Sequence, residues 1–101
     1  SNVSKISAFN IKKFGKAKLL NHKVMKIIFK IFERYDIVLC QEVRLSVEMI
    51  NQFVFSLSKS SSIPYSYVSS QPIGRAPYVV RFQNLNKPHV RITLVGCHTH
   101  P

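Results

Sequence analysis

The chain has 101 residues, enough for one small domain with a single hydrophobic core. Hydrophobic residues make up 46% of the sequence, which is typical of a globular protein and excludes a disordered one. Lys and Arg number 15 against 4 Asp and Glu, a formal net charge of +11 that favours nucleic acid or anionic lipid as a partner, with a merely soluble basic protein as the alternative.

Neither a membrane span nor a cysteine motif stands out in the sequence. No apolar run approaches the roughly 20 residues of a membrane-spanning helix, and the N-terminus has no charged segment followed by an apolar one. We therefore expect an intracellular chain or one whose signal has been removed. Cys40 and Cys97 lie in apolar runs without CxxC spacing, which favours buried free thiols, while a disulfide stays open.

The first half of the chain predicts a strand, a helix and a second strand. Residues 3–9 alternate loosely and predict a strand that ends at Asn10, followed by a basic loop with a glycine. Asn21 is the predicted N-cap of an amphipathic helix with lysines on its outer face. We expect its apolar stripe to pack in the core: Val24, Ile27, Ile28, Ile31 and Phe32. Next comes the stretch around which the chain is organised, a buried strand over residues 37–42 that closes with Glu42.

The second half predicts one more helix and three more strands. Ser46 is the predicted cap of a helix whose apolar positions from Met49 to Leu57 follow the three-four spacing, and residues 58–64 have the composition of a loop. Residues 65–70, 78–82 and 90–97 predict strands, and the last of them leads to His98. The order β-α-β-α-β-β-β predicts an α/β fold, with about one sheet and two packed helices.

Three polar residues directly follow apolar strands: Asn10, Glu42 and His98. Where strands run the same way these side chains meet at one edge, giving two oxygen ligands for a hard cation such as Mg²⁺ and an imidazole for proton transfer. Spacing alone leaves a plainer interpretation open, since Asn often ends a strand in a turn and a terminal Glu is often only solvated. We assign no site to His22 or His89, because neither has a suitable neighbour in the sequence.

The same residues carry a family resemblance. The matching segments occur in one order along nearly the whole chain: ISAFNI (6–11), FG (14–15), RYDIVL (34–39), QEVR (41–44), YVSS (67–70), PIGR (72–75), YVVRF (78–82), and His98 with Pro101. Together they resemble the deoxyribonuclease I family. The resemblance implies the two-sheet sandwich of the endonuclease/exonuclease/phosphatase superfamily and hydrolysis of DNA phosphodiester bonds with Mg²⁺ and Ca²⁺. It also implies a secreted protein, with the nucleus as the alternative location.

The resemblance assigns roles to individual residues. Asn10 and Glu42 match metal-site positions, and Glu42 and His98 match catalytic ones, His98 being the first of two catalytic histidines. Lys12, Arg44 and Arg75 match basic positions that approach DNA. Lys12 replaces an arginine, which keeps the attraction to phosphate but loses the planar guanidinium.

The chain also departs from the family pattern. Arg75 joins Ala76 directly where the family has a further segment, so residues 1–101 resemble the N-terminal half of a deoxyribonuclease I-like domain as one incomplete domain with a gap between 75 and 76. We expect the isolated chain to be weakly active or inactive. The alternative is a non-catalytic, basic DNA-binding pseudoenzyme or truncated isoform.

The remaining expectations concern partners other than DNA. Ser69 replaces an apolar contact residue of the family's actin-binding edge, which argues against actin. An uncovered sheet face favours self-association. A membrane-active cationic protein is the least favoured function, because the apolar helix stripe is assigned to the core.

Overall fold

A computed structural model describes residues 4–61, 64–71 and 78–97 of the chain. It confirms the predicted α/β fold, with five strands in one sheet and three helices. In chain order the elements are β1 (Ile6–Asn10), α1 (Lys16–Leu19), α2 (His22–Phe32), β2 (Ile37–Val43), α3 (Val47–Ser61), β3 (Tyr65–Gln71), β4 (Tyr78–Asn84) and β5 (Arg91–Gly96).

The sheet is mixed, with the strand order β1-β2-β5-β4-β3. Strands β1, β2 and β5 are parallel neighbours, whereas β4 runs antiparallel to both β5 and β3. The carboxyl ends of β1, β2 and β5 therefore lie at one edge of the sheet, which we call the carboxyl edge. The sequence argument requires strands that run the same way, and these three strands meet that condition.

The hydrophobic core lies between the helices and one face of the sheet. Phe53 of α3 is fully buried at its centre, where its ring centroid lies 5.8 Å from that of Phe29 and 5.9 Å from those of Phe14 and Phe82. The buried sheet residues alternate along the strands, as expected for one covered face: Val38, Cys40, Val80, Phe82, Ile92 and Leu94. No helix of the described residues is long and apolar enough to cross a membrane.

The residues between these positions face the other side of the sheet, which we call the open face. Ile6 is 67% exposed, Arg81 and Arg91 are exposed, and Leu39 and Val95 are half-buried. No helix among the described elements covers this side, because all the buried sheet residues belong to the opposite face.

The predicted helix starts are confirmed, but the core stripe of α2 is partly wrong. The Asn21 side chain accepts a hydrogen bond from the Val24 N–H at 3.2 Å. Ile27, predicted to be core, is 61% exposed, whereas Met25 and Phe29 are buried. The apolar residues of α2 form one wide arc, and Ile27 lies at the end of that arc next to the lysines, outside the part that packs in the core.

Two further boundaries differ from the predictions. The short helix α1 begins at Lys16, the last residue of the predicted basic loop, and continues over residues for which the sequence predicts no element. The helix α3 continues through Ser61, although residues 58–61 have a loop-like composition. The Ser61 Oγ donates to the Leu57 carbonyl oxygen at 2.8 Å, so a serine side chain bonds within the last turn.

Candidate functional site

Asn10 and Glu42 lie side by side at the carboxyl edge. The parallel register of β1 and β2 pairs Asn10 with Gln41, the residue before Glu42. Both Asn10 and Glu42 are exposed. Because neighbouring strands are about 4.8 Å apart, two polar side chains one register position apart can reach a common ligand.

A β-bulge sets the exposure of Glu42. The register between β2 and β5 shifts between Cys40 and Val43, so that Gln41 and Glu42 are both exposed while the residues on either side of them are buried. Glu42 has φ 57°, in the left-handed region that a residue with a side chain seldom adopts. Backbone strain of this kind is concentrated at functional sites.

The basic loop after β1 is fixed to the segment after Glu42. Phe14 is fully buried, and its carbonyl oxygen accepts a hydrogen bond from the Arg44 N–H at 2.8 Å. Gly15 and Arg44 also form a parallel bridge. The exposed side chains of Lys12, Lys13 and Arg44 therefore belong to one anchored basic surface beside Glu42.

The end of β5 lies next to the same bulge. Gly96 pairs with Val43, and the Cys97 N–H donates to the Val43 carbonyl oxygen at 2.9 Å. His98 follows Cys97 in the sequence but lies outside the described residues, as does Arg75. The catalytic role of His98 and the DNA-binding role of Arg75 therefore stay predictions.

Tyr78 is a supporting residue that the sequence did not single out. It is buried, and its hydroxyl donates to the Leu45 carbonyl oxygen at 2.7 Å, three residues beyond Glu42. Burial raises the pKa of Tyr78 to about 12. A Cβ on Gly96 would lie 2.2 Å from the tyrosine ring, so the glycine makes this close packing possible.

The other carboxylates lie elsewhere. Asp36 lies just before β2, at the opposite edge, where its Oδ2 accepts from the Lys5 N–H at 2.9 Å and its Oδ1 is 3.8 Å from His89 Nε2. His89 thus has a carboxylate neighbour, contrary to the sequence interpretation. Glu48 lies in the first turn of α3. A hydrogen bond from its own backbone N–H lowers its pKa, and a hydrogen bond from the Ser46 hydroxyl lowers it by a smaller amount.

The thiol of Cys40 does not contribute a reactive group to the carboxyl edge. Cys40 and Cys97 are both free, so the structure agrees with the prediction of free thiols. Cys40 is fully buried, and burial raises its pKa from 9.0 to about 12. A thiol with so high a pKa is a poor nucleophile at neutral pH.

The donor set at the carboxyl edge suits a hard cation only in part. One carboxylate and one amide oxygen are ligands that Mg²⁺ accepts, since it commonly keeps several waters. Within the described ranges no group of three or more His, Cys, Asp or Glu side chains is placed to hold a metal. Asn10 and Glu42 therefore fit a hydrated divalent cation but not a metal enclosed by protein ligands.

These features define a class: an α/β chain whose parallel strands place an amide, a bulged carboxylate and a basic loop at one edge. Among characterised proteins, this chain is similar to deoxyribonuclease-1. It is 45% identical over 75 residues to the Gallus gallus protein, 41% over 86 residues to the Bos taurus protein and 39% over 85 residues to the Homo sapiens protein. No protein-family model matches the chain.

The similarity covers most of this chain but only a small part of each relative. These matches cover 73%, 84% and 83% of this chain but only 27%, 30% and 30% of the relatives. The resemblance to deoxyribonuclease I that the sequence motifs indicate is confirmed, as that of a partial deoxyribonuclease I-like chain. The chain spans less than a third of the length of these three relatives.

Proposed function

We propose that the carboxyl edge is the DNA-binding and cation-binding edge of a deoxyribonuclease I-like nuclease. The observation that carries the proposal is the bulge that holds Glu42 exposed beside Asn10 at the ends of two parallel strands. The similarity to deoxyribonuclease-1 supports DNA as the substrate. The secreted location that the resemblance implies stays a prediction.

Each residue at this edge has a role in the proposal. Lys12 and Arg44 attract the phosphate, and the planar guanidinium of Arg44 can contact two of its oxygens. The Glu42 carboxylate and the Asn10 amide oxygen would hold Mg²⁺ or Ca²⁺, which when bound neutralises charge on the phosphate. The resemblance assigns proton transfer to His98.

The proposal also explains why the isolated chain should be a poor catalyst. Phosphodiester hydrolysis needs an activated water and a protonated leaving oxygen in line with each other. Glu42 is the only carboxylate on the bulge: Glu33 ends α2, Asp36 precedes β2, and Glu48 lies in the first turn of α3. Hydrolysis requires three roles: cation binding, water activation and protonation of the leaving oxygen. Glu42 and His98 are only two groups, so they cannot fill all three roles.

Nicking of supercoiled plasmid tests the proposal. The chain is incubated with Mg²⁺ and Ca²⁺, with and without chelator, beside Glu42→Gln and the matched control Glu33→Gln, an exposed acid at the C-cap of α2. We expect weak cation-dependent nicking that Glu42→Gln abolishes and Glu33→Gln retains. Titration calorimetry with Mg²⁺ gives a second readout, in which Glu42→Gln alone should lose binding heat. Nicking that survives both chelation and Glu42→Gln would contradict the cation assignment.

A second candidate function is DNA binding without cleavage. It is favoured by the combination of one bulge carboxylate with the anchored basic surface of Lys12, Lys13 and Arg44. It predicts sequence-independent binding that weakens with salt, and no nicking by a chain that circular dichroism shows to be folded. The loss of binding in Arg44→Gln, with the fold retained, would place that function at the same edge.

A further inference from the structure

The outer face of α2 combines cations with an exposed apolar side chain. Lys23, Lys26 and Lys30 are exposed, and Ile27 between them is 61% exposed. These positions are three or four residues apart, so they lie on one side of a helix. Buried Met25, Ile28, Phe29 and Phe32 occupy the opposite side.

This arrangement of charges is unfavourable unless an anion is near. Lys26 and Lys30 are one helical turn apart, and like charges at that spacing repel. No lysine among the described residues forms an ion pair with a carboxylate. The face therefore has an uncompensated positive charge along about 11 Å of helix, from Lys23 to Lys30.

A groove extends this face towards α3. It has a volume of about 360 Å³, and its lining includes Leu19, Met25 and Phe29 on the apolar side. Lys26 and Lys59 are cations of the same lining, together with Phe55, whose side chain is 64% exposed. Ile27 lies outside this groove, and Lys26 belongs both to the groove and to the outer face of α2 that carries Ile27.

The apolar side chains distinguish between two polyanions. Contacts to nucleic-acid phosphates come from cations and polar groups, and apolar side chains add to such binding only where they reach the bases. An anionic bilayer surface attracts lysines and also accepts apolar side chains at the boundary of headgroups and acyl chains. Ile27, expected in the core, is thus free to make such a contact.

We propose that the outer face of α2, with Phe55 and Lys59 of α3, is a docking surface for anionic phospholipid bilayers. The chain lies on the bilayer surface: the lysines contact lipid phosphates and carboxylates, and Ile27 and Phe55 enter the interfacial region. The proposal does not depend on the nuclease function, because it uses neither the carboxyl edge nor its residues.

Co-sedimentation with vesicles tests the charge requirement. The full chain is mixed with phosphatidylserine–phosphatidylcholine vesicles and with pure phosphatidylcholine vesicles. We expect binding to the anionic vesicles only. The double variant Lys26→Gln with Lys30→Gln should weaken binding about twenty-five-fold, since each lysine near an anionic surface contributes about five-fold. The control Lys5→Gln with Lys87→Gln removes the same charge near the amino ends of β1 and β5, outside the outer face of α2, and should change binding less than about three-fold.

The apolar requirement is tested with single substitutions. Ile27→Ser should weaken binding to anionic vesicles about ten-fold, and Leu85→Ser, which changes a 55% exposed leucine beyond β4, should have no effect. Circular dichroism confirms the fold of each variant, and the affinity for a short DNA duplex is measured in parallel. Equal binding to both vesicle types, equal effects of the two double variants, or equal effects of Ile27→Ser and Leu85→Ser would each overturn the proposal. A further combination would also overturn it: Ile27→Ser leaves vesicle binding intact, and Lys26→Gln with Lys30→Gln weakens DNA binding. The outer face of α2 would then be a nucleic-acid surface.

Discussion

Glu42 occupies a backbone conformation that favours glycine, at φ 57°. In a regular strand, Gly is less stable than Ala by roughly 0.5–1 kcal/mol. At position 42 the left-handed conformation costs any residue with a Cβ roughly 1–2 kcal/mol, so the order should reverse. We expect Glu42→Gly to be more stable than Glu42→Ala by about 1 kcal/mol in urea unfolding, while both remove the carboxylate.

Thr93 in β5 supplies the control for this reversal. It pairs in register with Leu39 and Arg81, so its backbone is regular. Thr93→Gly should be less stable than Thr93→Ala, by the usual amount. If Glu42→Gly is also less stable than Glu42→Ala, the bulge stores no backbone strain at position 42. The strained backbone would then no longer mark Glu42 as part of a functional site.

Tyr78 and Cys40 predict a loss of stability at alkaline pH. Burial raises both pKa values to about 12, from ordinary values of 10.0 and 9.0, so folding favours the neutral forms. Their contribution is complete below the unfolded pKa of each group and is lost as the pH rises towards 12. We expect the free energy of unfolding to decline between about pH 9 and pH 12.

Two substitutions separate the contributions of these groups. In Cys40→Ala the decline should begin nearer pH 10 than pH 9, because the thiol no longer titrates. Tyr78→Phe should reduce the loss above pH 10 and cost about 1–2 kcal/mol at neutral pH, since the Leu45 carbonyl oxygen loses its donor. Urea unfolding across this pH range measures both, and an unchanged pH profile in both variants would contradict the assignment.

At the scale of elements, the basic loop after β1 depends on one aromatic side chain. Phe14 is 0% exposed, and its ring packs edge-on against Phe53. Phe14→Ala should cost about 3–5 kcal/mol of stability, enough to unfold much of a small domain. Phe14→Leu should cost less and retain DNA binding, because the hydrogen bond from the Arg44 N–H to the backbone of residue 14 needs no side chain.

The control for Phe14 is a phenylalanine of α3 that is not in the core. Phe55 is 64% exposed, so Phe55→Ala should change the free energy of unfolding by less than about 0.5 kcal/mol. Equal effects of the two alanine substitutions would show that the loop is not anchored through Phe14. Folded Phe14→Leu without DNA affinity would show that the aromatic ring itself positions the basic surface.

The elements that the sequence predicted well are those with strong local signals. Asn21 and Ser46 are helix caps whose side-chain oxygens accept hydrogen bonds from backbone N–H groups, as their residue types suggest. The strand 37–42 was recognised from its apolar run. The prediction for Ile27 is wrong because the apolar arc of α2 is wider than the part that packs in the core, and only that packing selects Met25 and Phe29 over Ile27.

The candidate site was predictable in its residue types but not in its geometry. Asn10 and Glu42 follow apolar runs, and the parallel register brings their strand ends together. The bulge at Gln41 and Glu42 has no local signal, since neither residue is a glycine or asparagine that favours a left-handed backbone. Nor could spacing predict the contact between Asp36 and His89, 53 positions apart in the sequence.

At the scale of the whole molecule, the net charge of +11 makes DNA binding and self-association respond oppositely to salt. DNA binding should weaken as salt is added, whereas self-association through the open face should strengthen. DNA binding through Lys12, Lys13 and Arg44 releases about three counterions, so the logarithm of the affinity should fall with the logarithm of salt with a slope of about −3 or steeper. Self-association through the open face brings two copies of a strongly basic chain together. Salt screens their repulsion and strengthens the apolar contact, so association should increase with salt.

Sedimentation velocity at increasing salt checks the second half of this prediction. We expect the sedimentation coefficient of the wild-type chain to rise with salt. The Leu39→Ser variant should keep the coefficient of a monomer, because Leu39 lies on the open face and points away from the helices. Leu85→Ser, an exposed leucine outside the sheet, should associate like the wild type. Association that weakens with salt would mean that ionic contacts hold the copies together. Association that survives Leu39→Ser would mean that another surface of the chain forms the contact.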